Sequence, residues 1–191
     1  LRREAGPNDQ IIIYYAGHGA PDQFGDAADG DGVEKYLLPH DADPADVSGT
    51  GYPMQEIAES LARLPASRVL YIADACFSGA SGGRTLAVGP SAGPISDGFL
   101  GRLSGAAPGR VILSASGANE PSLESQSLGH GVFTYFLLDG LRGAADADAN
   151  GAITVPEVYG YVARQVPENT GLRQHPTMSG QLGGEMVLGR V

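Results

Sequence analysis

The chain has 191 residues, with 12 Lys and Arg against 22 Asp and Glu and a net charge of −10. That length suits one domain able to bury a core, and the acidic balance, with Lys35 the sole lysine, excludes nucleic acid as the main partner. One cysteine excludes an internal disulfide framework and a Cys-based zinc site, while 29 Gly and 13 Pro without a three-residue period predict abundant turns and exclude collagen.

Leu1, Arg2 and Arg3 run straight into acidic, turn-forming residues, so no secretory signal is legible and the cytoplasm is the expected location. There is no initiator Met, and the chain is expected to be a piece of something longer. Residues 10–16 (QIIIYYA) form a β-branched and aromatic run that stops at Gly17, which predicts a strand buried on both faces. The longest uncharged apolar run, residues 11–17, is too short to span a membrane. Residues 36–38 and 185–188 are candidate short strands. Residues 54–64 carry Met54, Ile57, Ala58, Leu61 and Leu64 at helical spacing and are stopped by Pro65. Residues 68–73 (RVLYIA) and 110–115 (RVILSA) read as further buried strands, and 132–141 and 155–166 as helices. Strands alternating with helices predict a layered α/β domain with a mostly parallel sheet. Two stretches read as exposed loops, the acidic, Gly-rich 21–32 and the Gly, Ser and Pro-rich 78–98.

Ligands of open α/β sheets sit beyond the carboxyl ends of the strands. The first buried strand ends Ala16, Gly17, His18, Gly19; the second ends Asp74, Ala75, Cys76, Phe77, Ser78, Gly79. One imidazole and the only thiol therefore leave two parallel strands at one edge, each followed closely by a glycine. A thiol becomes a ready nucleophile when a base adjoins it, and imidazole is the usual base. Glycines let backbone N–H groups approach a developing oxyanion. Each residue alone has a plainer reading, a small buried hydrophobe or a structural histidine; their conjunction points to chemistry.

Residues 14–19 and 74–79 resemble the His and Cys motifs of caspase-fold cysteine peptidases (peptidase family C14), closest to the metacaspase and bacterial orthocaspase branch. The separation of His18 and Cys76 is near the roughly 50 residues typical of caspases. Ser114 to Ser116 and the run His130, Gly131, Val132, Phe133, Thr134 also resemble this family. The resemblance implies a caspase-like three-layer α/β/α sandwich over residues 1–191, lacking the family's first strand and helix. It implies a cysteine endopeptidase with His18 as general base and Cys76 as nucleophile. It implies an oxyanion hole of the Gly19 and Cys76 N–H groups, with no third catalytic residue. Asp74 stands where metacaspases carry an acid of the S1 pocket, which implies cleavage after Arg, then Lys, through a charge-assisted contact. The plainer role for Asp74 is to accept backbone N–H groups at the strand end.

The missing opening strand and helix imply a partner: an N-terminal fragment or a second chain that completes the sheet. Peptides or proteins with Arg or Lys at P1 are the expected substrates; no membrane partner is expected. In the caspase fold the loop after the nucleophile is where self-cleavage separates subunits. Arg84, between Gly83 and Thr85, is the first candidate site and Arg102 the second; a plain linker is the alternative.

Residues 146–157 match the EF-hand loop D-x-D-x-N-G-x5-E. Asp146, Asp148 and Asn150 would supply side-chain oxygens, Ala152 a carbonyl and Glu157 two oxygens. A turn at Asn150 and Gly151 followed by a capping box from Thr154 to Glu157 explains nearly the same residues. No organic cofactor is required, and calcium is the candidate ion. The acidic stretch 22–46, with Asp29, Asp31 and Asp43, reads as a solvated loop with calcium as its alternative. Four dispersed histidines form no metal pair. Glu120 and Glu124 are candidates to meet a basic substrate. The rival functions are a catalytically silent caspase-like interaction module and a calcium-sensing module.

Overall fold

The computed structural model describes residues 3–22, 34–76, 108–117 and 120–191, with the backbone alone described at positions 21, 22 and 76. The expected loop 78–98, Arg84 and Arg102, and Asp29 and Asp31 lie outside the described residues.

Three parallel strands form the centre of a six-stranded sheet: β1 (Gln10–Asp22), β4 (Arg68–Cys76) and β5 (Arg110–Ser114). Antiparallel strands β2 (Glu34–Leu38) and β3 (Tyr52–Pro53) extend it beyond β1, and antiparallel β9 (Thr177–Gly180) extends it beyond β5. The order is β3-β2-β1-β4-β5-β9. Helix α1 (Val47–Thr50) follows β2, and α2 (Met54–Ala62) follows β3. Helices α3 (Val132–Asp139) and α4 (Val155–Thr170) come after β5. Two small ribbons, β6 (Glu124–Ser125) with β7 (His130–Gly131) and β8 (Ala152–Thr154) with β10 (Val187–Arg190), flank α3 and α4 in sequence. Among the described residues, no helix is long and apolar enough to cross a membrane.

The period of two in β4 divides the core. Val69, Tyr71 and Ala73 pack with Met54, Ile57, Ala58 and Leu61 of α2. Leu70 and Ile72 pack on the other face with Val111 and Leu113 of β5, Phe133, Phe136 and Leu137 of α3, and Val158, Val162 and Val166 of α4. A fully buried aliphatic side chain contributes roughly 1.5–3 kcal/mol, so both faces are anchored. The result is the expected α/β/α sandwich.

Arg110 fastens α2 to β5. Its buried guanidinium donates to the carbonyls of Leu61 (3.2 Å), Leu64 (2.5 Å) and Ala66 (2.6 Å), which lie at and beyond the helix's C-terminal turn. A helix end leaves such carbonyls without internal partners. Burial lowers the pKa of this guanidinium from its ordinary value.

Two expectations about β1 are corrected. The strand overruns Gly17, because β2 pairs with His18 through Asp22 and keeps the chain extended. It is also not buried on both faces: Ile11 is 5% exposed, but Ile12 is 48% and Tyr14 46% exposed. Helix α2 covers the odd-numbered face, while the helices opposite centre on β4 and β5. The helix expected at 132–141 ends at Asp139 and passes into a wider turn, Gly140–Ala144, where Gly143 takes φ 127°. The helix expected at 155–166 runs on to Thr170 and ends at Gly171 in the left-handed region. The strand expected at 185–188 begins at Val187.

Candidate active site

The site is built on the ladder between β1 and β4. The parallel register sets Ala16 opposite Asp74, Gly17 opposite Ala75 and His18 opposite Cys76. His18 and Cys76 are thus neighbours across adjacent strands, which run roughly 4.8 Å apart. Alternation puts positions 14, 16 and 18 of β1 and 72, 74 and 76 of β4 on one face of the sheet, the face that α3 and α4 cover. His18 is exposed, and Gly19 is buried within the β1–β2 ladder opposite Leu37.

Tyr15 clamps the histidine's backbone from the other face. Its hydroxyl is shared between the carbonyls of His18 (2.8 Å) and Leu38 of β2 (2.9 Å). Burial raises the Tyr15 pKa, so the hydroxyl stays a donor. Gly17 makes room for this: a Cβ there would stand 2.6 Å from the Tyr15 hydroxyl oxygen. Tyr15 also walls an apolar cavity of about 430 Å³ with Ile13, Leu37, Ile57, Leu61 and Tyr71. That cavity lies on the α2 face, away from the face shared by positions 18, 74 and 76.

Asp74 is fully buried. Its Oδ1 accepts from the Ser122 hydroxyl at 2.6 Å, and its Oδ2 accepts from the Thr134 hydroxyl on α3. Among the described residues two hydroxyls hold this carboxyl, and the backbone N–H groups that follow Cys76 lie outside those residues. Buried Gln174 ties the surrounding segments together. Its amide donates to Ala115 O (2.9 Å) and to the Ser122 hydroxyl (3.4 Å), and its carbonyl accepts from Leu123 N (2.9 Å). Glu120 is occupied too: it accepts from the His175 backbone N–H (2.6 Å) and lies 2.7 Å from the His175 ring.

The ladder register therefore sets positions 18, 74 and 76 on one face of the sheet. Tyr15, Ser122, Thr134 and Gln174 are the residues that sequence reasoning missed. Thr134 carried one signal, its place in the run from His130 to Thr134 that resembles the family.

The acidic loop is a separate region. Side-chain oxygens of Asp146, Asp148 and Glu157 lie within 4.8 Å of one another, the one such cluster of potential metal-binding groups among the described residues. Gly151, sixth in the loop pattern, has φ 78°, a conformation that favours glycine. The Asn150 amide donates to Asp148 (2.8 Å), its carbonyl oxygen accepts from Ala152 N (2.7 Å), and Ala152 lies in β8. Glu157 forms the expected capping box, accepting from the Thr154 hydroxyl (2.6 Å) and N–H (2.9 Å). Those bonds, the hydroxyl's first, hold its pKa below the ordinary value. The carboxylates present fit a hard cation, which takes oxygen ligands.

An α/β/α sandwich with a His and a Cys paired across parallel strand ends defines the caspase-fold class. The caspase domain model of the peptidase C14 family matches residues 1–186, and the chain belongs to that family, whose members are generally cysteine peptidases. Two solved structures share the fold. The crystal structure of protein GSU0716 from Geobacter sulfurreducens has 19% identity and a TM-score of 0.60, over 95% of this chain and 69% of that one. Caspase-1 from Spodoptera frugiperda has 15% identity and a TM-score of 0.56, over 98% of this chain and 68% of that one. No curated protein matches the sequence.

Proposed function

We propose that the chain is a cysteine endopeptidase that cleaves after Arg and, less well, after Lys. The observation that carries this is the β1–β4 register, His18 opposite Cys76, with buried Asp74 two positions earlier on the same face. Family membership supports the reaction class. The Cys76 thiolate attacks the carbonyl carbon of the scissile bond, and the Gly19 and Cys76 N–H groups donate to the oxyanion. The C–N bond then breaks, His18 gives its proton to the leaving amine, and the acyl group stays on sulfur as a thioester. Water passes a proton to His18, attacks the thioester and regenerates the thiol. These steps need no organic cofactor. Asp74 attracts the P1 cation and repels an acidic P1 side chain.

Initial rates on matched fluorogenic peptides ending in Arg, Lys or Asp, with wild type and Cys76→Ala, test this. The expected order is Arg, Lys, then Asp, with every rate lost in Cys76→Ala. A preference for Asp would overturn the role of Asp74, and full activity in Cys76→Ala would overturn the nucleophile. Absence of any rate would favour a catalytically silent module. Self-cleavage after Arg84, then Arg102, belongs to the same proposal and is read by intact mass against Cys76→Ala. An N-terminal segment or second chain is proposed to add a strand beside β1, since the β2 ladder covers only His18 through Asp22 of that edge.

Calcium at Asp146, Asp148, Asn150, Ala152 and Glu157 is a second reading, favoured by the convergence of the three carboxylates. Calorimetric titration with calcium is expected to give heat that Asp148→Ala removes; no heat with wild type would overturn it.

A further inference from the structure

Resting on Asp74 as the acid that selects the P1 cation, we propose that Ser122 and Thr134 are positioning residues for that selection. They fix the plane of the Asp74 carboxylate and so favour Arg over Lys. The two hydroxyls come from different segments, Ser122 ahead of β6 and Thr134 from the first turn of α3, and each takes one carboxylate oxygen. A hydroxyl has one proton to give. Ser122 gives its proton to Asp74 and so accepts from Gln174 at 3.4 Å. Thr134 gives its proton to Asp74 and so accepts from the Tyr14 hydroxyl at 2.7 Å. Two relays, Gln174 to Ser122 and Tyr14 to Thr134, therefore point their protons at one buried carboxyl, the polarity that a carboxylate needs.

A carboxylate offers about four lone-pair sites, and the two hydroxyls use two of them. The P1 cation would take the remaining sites. A guanidinium binds a carboxylate through a planar fork that demands a matched plane, whereas an ammonium is a point charge that does not. Holding both oxygens sets that plane. Loss of either hydroxyl should therefore harm recognition of Arg more than recognition of Lys.

The experiment measures kcat and KM for matched peptides with Arg, Lys or citrulline at P1, on wild type, Asp74→Asn, Ser122→Ala, Thr134→Val and Thr134→Ser. Asp74→Asn is expected to abolish the preference for Arg over uncharged citrulline. Thr134→Val and Ser122→Ala are each expected to lower kcat/KM for Arg about tenfold, the scale of one hydrogen bond to a charged group, mainly through KM. The ratio of Arg to Lys should fall with it, and Thr134→Ser should restore the ratio. Equal losses for Arg and Lys in Thr134→Val and Ser122→Ala would overturn the proposal, because a general packing role predicts them. If Asp74→Asn leaves the preference for Arg over citrulline intact, the underlying role of Asp74 fails, and this inference fails with it. If Asp74→Asn abolishes that preference while both hydroxyl variants keep the wild-type Arg to Lys ratio, the inference alone fails.

Discussion

Asp74 and Asp146 both accept two hydrogen bonds from their own chain, but from very different distances along it. Asp146 takes the N–H groups of Asn150 (3.1 Å) and Gly151 (3.0 Å), within a single turn. Asp74 takes hydroxyls 48 and 60 residues away. Asp146 is partly exposed and Asp74 fully buried, so water can replace what the first loses but not what the second loses. The local loop is secured by turn chemistry. The buried acid holds only when β4, α3 and the segment before β6 have all come together.

Replacing each acid with alanine gives the widest separation between the two regions. Asp74→Ala leaves the buried Ser122 hydroxyl and the partly buried Thr134 hydroxyl short of an acceptor, and about 2–4 kcal/mol of stability should be lost. Asp146→Ala uncovers backbone groups that water can reach, and the loss should be about 0.5–1 kcal/mol. Urea denaturation midpoints measure both, and equal losses would show that the two acids are held alike. Gly17→Ala probes the strand end beside Asp74. The new Cβ must displace the Tyr15 ring, at a cost of about 1–3 kcal/mol. Tyr15→Phe keeps the ring and removes one hydroxyl, so about 1 kcal/mol should go, together with a lower kcat as the His18 carbonyl is released. A Tyr15→Phe protein with wild-type kcat would show that the clamp serves the fold alone.

The smallest effect belongs to the local region and depends on pH. Glu157 has a folded pKa below its ordinary value. Its bonds therefore stabilise the fold above the ordinary carboxylate range, and that stability is lost as pH falls through the lower folded value. Glu157→Gln cannot titrate there. Between about pH 5 and pH 3 its stability should fall less steeply than that of wild type. Parallel curves in thermal melts would contradict the assignment.

These regions also differ in how far the sequence exposed them. The capping box from Thr154 to Glu157 and the turn at Gly151 were legible because their partners lie a few residues apart. The strands at 10–16, 68–73 and 110–115 were legible because buried parallel strands concentrate β-branched residues. His18 and Cys76 stood out because each follows an apolar, β-branched run and has a glycine within the next three residues. Strand β9 was not foreseen: Thr177–Gly180 is short and largely polar, and its extended form comes from pairing with β5. The extension of β1 past Gly17 likewise depends on pairing with β2, and no local pattern announces that pairing. Gln174 carried no signal at all, since its role exists only once distant segments meet Ala115 and Leu123.

In the proposed mechanism the β1–β4 register makes His18 the activating base of Cys76. The chain has a single cysteine, so alkylation by iodoacetamide reads Cys76 alone, as one intact-mass shift. The rate should be measured against pH for wild type and His18→Ala. Wild type is expected to react well below the ordinary thiol pKa of about 8.5, and His18→Ala only as pH approaches that value. Superimposable pH profiles for the two proteins would contradict the account.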